Sequence, residues 1–86
     1  PRVSVEVINY RPYYILGEVG RPGEYPYTSG LTVQNAVAAA GGFSYRANKR
    51  VVYIKSMDAS QEVAYDLTPA TVVKPGDTIR IGERIF

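Results

Sequence analysis

The chain has no cysteine, no histidine and no tryptophan. Without cysteine there is neither a disulfide framework nor a thiolate metal site. Without histidine the commonest general base and the commonest metal ligand are both missing. Neither absence selects a compartment, since a cysteine-free chain suits cytoplasm and periplasm alike. An excess of one charge is lacking too. Ten Lys and Arg stand against eight Asp and Glu, for a net +2. The pI of about 9.1 reflects that small excess and the missing histidine, so nucleic acid and anionic membrane are not expected partners. No apolar run approaches the ~20 residues of a membrane-crossing helix, and no membrane span is expected within residues 1–86. No secretory leader is visible. The chain opens on Pro1 directly in strand-like sequence. We therefore expect a piece of a longer protein whose targeting information lies elsewhere.

What remains is enough for one domain, 1–86, with one modest core. "RVSVEVINY" alternates, with Val3, Val5 and Val7 on one face, as in a half-buried strand. "YYILGEV" predicts a second strand. Tyr13 and Tyr14 point to opposite faces there, so at most one of them is buried. Gly20 and Pro22-Gly23 then predict a turn, and "EYPY" a short extended return that Pro26 confines to an edge or strand end.

"GLTVQNAVAAAGG" predicts the main helix. Thr32 is placed to cap it. Val33, Ala36, Val37 and Ala40 form one apolar stripe, and Gly41-Gly42 ends it. "VVYIKSM" and "EVAYDL" predict a hairpin. "TPATVVKPGD" predicts a crossing segment with a second Pro-Gly turn, and "DTIRIGERIF" a last alternating strand. The fold class expected is α+β: a β-grasp-like roll, one main helix packed on a small mixed sheet of about five strands.

Four motifs in this order carry a resemblance: G-E-V-x-x-P-G from Gly17, a G-L-T-led helix ending A-G-G, the R-A-N of residues 46–48, and P-G-D-x-I-x-I from Pro75. From about Tyr13 to Phe86 the sequence resembles the soluble-ligand-binding β-grasp (SLBB) domain. The version it resembles most is that of polysaccharide export proteins of Gram-negative bacteria. The resemblance implies a periplasmic or outer-membrane protein that exports capsular or exopolysaccharide, with an export domain before residue 1. It implies neighbouring subunits of the same exporter, often in a ring, and an inner-membrane chain-length regulator as partners. The ligand it implies is glycan, without the motif establishing it.

The residues themselves leave alternatives open. Gly17 and Gly23 read most simply as backbone residues. Glu18 is either a solvated residue or Arg partner, or an acceptor for sugar hydroxyls. Eight tyrosines against two phenylalanines supply flat apolar faces with hydroxyl tips, suited to sugars and to subunit packing alike. Tyr25, Tyr27 and Tyr45 flank turns and the helix end. Arg46, Asn48, Lys49 and Arg50 follow the helix, either as a basic flank on its dipole or, through the forked Arg46, as a contact for acidic sugars. Asn48 also suits a left-handed turn. Tyr25, Tyr27, Tyr45, Arg46 and Asn48 are accordingly the glycan-contact candidates. Pro75-Gly76-Asp77 reads as the turn launching the last strand. No nucleophile–base arrangement, phosphate loop or metal spacing is visible, so no catalysis and no cofactor are expected.

Overall fold

The computed structural model describes residues 10–84. The strand expected over residues 2–10 lies, except for Tyr10, outside the described residues. The elements are β1 (Tyr13–Gly17), β2 (Gly23–Tyr25), α1 (Val33–Ala39), β3 (Val51–Lys55), β4 (Val63–Asp66) and β5 (Thr78–Ile81). They form one helix and a five-stranded sheet of order β2-β1-β5-β3-β4. Only β1 and β5, at the centre, pair in parallel; the other neighbours are antiparallel, so the sheet is mixed. The expected α+β roll is the fold observed; among the described residues β2 lies on one edge and ends at Tyr25, just before Pro26.

Strand alternation decides which face is buried. Tyr13 and Ile15 of β1, Val52 and Ile54 of β3, and Ile79 and Ile81 of β5 point to the same side and are buried. Tyr14 and Leu16 point the other way and are exposed. Against the buried face lie Val33, Ala36, Val37 and Ala40, the stripe read from the sequence, joined by Val19, Ala47 and Val73. Each fully buried Val or Ile contributes roughly 1.5–3 kcal/mol. Ala36 and Ala40 are fully buried in this core.

A seven-residue helix is marginal alone, and its ends are secured locally. Thr32 Oγ1 accepts the Asn35 N–H at 3.2 Å. At the other end Gly42 N–H reaches the Val37 carbonyl and Gly41 N–H the Ala38 carbonyl, with Gly41 left-handed as a Schellman cap demands; Gly42 is left-handed too. The crossing segment backs the helix start: Val33 N–H bonds Thr71 O, and Val73 N–H bonds Leu31 O, both at 2.9 Å.

Two local expectations are corrected. The last helical turn holds no basic residue; the chain turns away at Gly41-Gly42 before Arg46, so the basic flank does not sit on the helix dipole. Asn48 is not left-handed, since no non-glycine residue described has positive φ. Its Oδ1 instead accepts the Arg50 N–H at 2.9 Å.

Candidate functional site

The two Gly-rich motifs meet in space. The loop after β1 docks on the end of α1, where Arg21 N–H bonds Ala40 O and Gly20 N–H bonds Gly42 O. A Cβ built on Gly20 would lie 3.0 Å from the Gly41 carbonyl oxygen, so the two backbones touch. Val19 bridges to Phe43. Glu18 is not a free strand residue: its charge acts on Arg46 without a direct ion pair. Its carboxylate accepts the Ser44 hydroxyl at 2.6 Å, while its carbonyl accepts the Ser44 N–H at 3.0 Å.

The R-A-N motif is tied down in the same way. Ala47 is buried and bridges Glu83. Asn48 N–H bonds Gly82 O, and Arg84 N–H bonds Arg46 O, each at 2.8 Å. Arg46 Nη1 pairs with Glu83 at 2.8 Å, both side chains more than half exposed. That hydrogen bond holds the guanidinium above its ordinary pKa.

On this stitched segment Tyr45 stands out, 76% exposed. Tyr25 and Tyr27 are elsewhere and differently disposed. Tyr25 closes β2 opposite Tyr13, with the two rings stacked at 5.9 Å. Its hydroxyl donates to the Arg21 carbonyl. Tyr27 packs edge-on to Tyr10 at 5.0 Å, and both Tyr25 and Tyr27 lean on the core. Among the described residues no hydrogen bond, ion pair or ring contact joins Tyr25 or Tyr27 to Tyr45, Arg46 or Asn48. The structure brings together the last three and seats the first two on the edge hairpin.

A concavity of about 370 Å³ lies on the far side of the sheet's width, between β3–β4 and the crossing segment. Ile54 and Val72 give it an apolar floor. Ser56, Tyr65, Lys74 and Asp77 stand around it. Tyr65 pairs with buried Val52, so its ring projects on the core face, beyond the reach of the helix. Asp77 is only 3% exposed; its Oδ2 accepts the Lys74 N–H at 2.9 Å. Burial raises its carboxyl above the ordinary aspartate range, and the Lys74 backbone and charge partly offset this. From the sequence, Asp77 is legible as a turn residue, but not as part of a concavity. The available signal was the alternation of "EVAYDL", which puts Tyr65 on the inward face of an edge strand that one short helix cannot cover.

Among the described residues no three His, Cys, Asp or Glu converge as a metal site, and no helix is long and apolar enough to cross a membrane. The fold and these surfaces define a small α+β module of β-grasp outline, its loops bonded to the sheet and a few aromatic and polar side chains left uncommitted. A family model for the SLBB domain matches residues 12–65, more than half the chain, and the chain belongs to that family. It is also 45% identical over 64 residues to the exopolysaccharide production protein ExoF of Rhizobium meliloti (strain 1021). That match takes in 74% of this chain but 15% of the relative, so the chain spans a small part of that protein's length.

Proposed function

We propose that this domain is a non-catalytic part of an exopolysaccharide export protein, working in the periplasm or at the outer membrane, and that it contacts the glycan. Family membership and the name of the relative support the export role. The observation that carries glycan contact is the mounting of Tyr45. A ring 76% exposed adds little to folding, yet its segment is held by backbone bonds to Glu18, Gly82 and Arg84. An aromatic face fixed in solvent beside a forked cation suits the C–H faces and hydroxyls of sugars. Arg46 and Asn48 complete that contact, and Tyr25 and Tyr27 extend it along the hairpin edge. The whole exporter would add neighbouring subunits and an inner-membrane chain-length regulator.

The test is retention of the 86-residue chain on immobilised exopolysaccharide from Rhizobium meliloti. Tyr45→Ala is expected to cut retention several-fold while moving stability by no more than about 0.5 kcal/mol. No retention of the parent chain, or equal retention of the variant, would overturn glycan contact at this surface.

A second reading, subunit packing, is favoured by one feature. β4 ends the sheet with all four residues exposed, Val63 and Tyr65 among them. An apolar edge of that kind accepts another strand. Mass that rises with concentration, without glycan retention, would select it.

A further inference from the structure

We propose that the concavity between β3–β4 and residues 68–77 is a binding site for one neutral pyranose ring. The inference rests on the glycan reading above and adds a second, separate contact to it.

Asp66 also lines the concavity, but alternation along β4 turns its side chain to the face opposite Tyr65; the remaining polar groups fall into two sets. Thr68 and Thr71 are spent on the chain itself: Thr71 Oγ1 donates to Asp66 O and accepts the Thr68 N–H, and Thr68 Oγ1 accepts the Ala70 N–H. The hydroxyls of Ser56 and Tyr65, the Lys74 ammonium and Asp77 Oδ1 have no hydrogen-bond partner among the described residues. Asp77 Oδ1 is also not sealed off, since no enclosed side-chain oxygen or nitrogen there lacks a partner. Four uncommitted polar groups thus face one apolar-floored hollow. An apolar hollow with a few convergent polar groups is the usual form of a small-ligand site.

The chemistry of the four selects the ligand. Lys74 lies close enough to Asp77 to favour its charged form, yet the two form no ion pair. An anion entering between them meets the carboxylate, and a cation meets the ammonium. A neutral polyol satisfies both, donating hydroxyls to Asp77 and accepting from Lys74. The Tyr65 ring, 46% exposed, offers a flat face for the C–H side of the sugar. The volume of about 370 Å³ is at the small end of ligand sites, ~300–1,000 Å³, so it takes one ring of a chain rather than several.

The test is an amide NMR titration of the 15N-labelled chain with the methyl pyranosides of glucose, galactose and mannose, with glycerol as control. Saturable shifts at Ser56, Tyr65, Lys74 and Asp77 with at least one glycoside, but not with glycerol, are expected. Tyr65→Ala is expected to weaken them at least fivefold; Lys74→Gln, at an exposed position, supplies a second variant if Tyr65→Ala unfolds. No saturable shift with any glycoside, or undiminished shifts in both variants, would overturn the site. An oligosaccharide from the Rhizobium meliloti polymer separates the two sources of a pyranose. Groove shifts with it place a residue of the polymer there, and groove shifts with the glycosides alone place a free sugar there. Retention that depends on Tyr45 while the groove stays silent sinks this inference and leaves the export reading standing. Silence at both surfaces sinks this inference and the glycan contact at Tyr45 together.

Discussion

A methyl group on Gly17 would sit 2.1 Å from the Ile81 carbonyl oxygen, on a backbone with φ of 91°. That carbonyl is already bonded to the Glu18 N–H at 2.9 Å. Gly17→Ala therefore combines a left-handed strain with a collision at the β1–β5 seam. We expect a loss of at least about 2 kcal/mol in urea unfolding; a loss under half that would mean the seam can shift. Asp77 makes a prediction of a different kind. Its folded pKa is raised by burial, so just above the ordinary aspartate pKa the folded chain still holds a proton that the unfolded chain has released. Its contribution is therefore fully present below that pKa and is lost as pH rises through the raised one. Glu62 runs the other way. Hydrogen bonds from Arg80 lower its pKa, so its contribution is in place above the ordinary glutamate value and is lost as pH falls through the lowered one. Asp77→Asn removes the first effect and leaves the second. Between about pH 3 and pH 7, stability of the parent chain relative to Asp77→Asn is expected to decline with rising pH. A flat difference in urea midpoints would contradict the burial argument.

Among the elements, α1 shows what local sequence can specify. Its start, stripe and stop were all legible: Thr32, the run Val33–Ala36–Val37–Ala40, and Gly41-Gly42. The reason is that caps and periodicity act within a few residues of chain. Thr32→Ala should cost ~1 kcal/mol by losing the Asn35 bond. Ala36→Leu should cost about 1–3 kcal/mol, because Ala36 is fully buried in the core and the added carbons would overpack it. Both are read as urea midpoint shifts, and a neutral Ala36→Leu would show a looser helix–sheet contact than described. Contacts between distant segments were not legible. "GEVGRPG" and "AGG" each look like simple bends, but they are bends because their backbones pack on one another. Nothing near Glu18 in sequence announces Ser44. The same limit explains the candidate residues. Tyr25, Tyr27 and Tyr45 all flank turns, but strand register seats the first two on the edge hairpin and the third on the segment that crosses to Glu83.

At the scale of the molecule, coverage of the sheet sets where ligands can reach. A seven-residue helix is about 10 Å long, whereas five strands span about 19 Å. The helix covers the centre, the loop after β1 closes one side, and the crossing segment only partly closes the other. That shortfall produces the groove beside Tyr65, and it depends on sheet order, which the sequence signals only weakly. The opposite face carries Arg80, bidentate to Glu62 at 2.8 and 3.0 Å and 4.2 Å over the Tyr53 ring. As a largely exposed pair it contributes roughly 0.2–1 kcal/mol.

Most of the residues by which the family is recognised are bonded into this frame through their backbones, and the exposed rings of Tyr45 and Tyr65 lie beside them. One amide spectrum of the chain, titrated with oligosaccharide from the Rhizobium meliloti exopolysaccharide, tests that division most directly. Shifts should concentrate at Tyr45, Arg46, Asn48 and the Tyr65 groove, while Gly17, Val19, Gly41 and Gly42 hold their positions. Shifts centred on those four, or no shifts anywhere at saturating oligosaccharide, would contradict it.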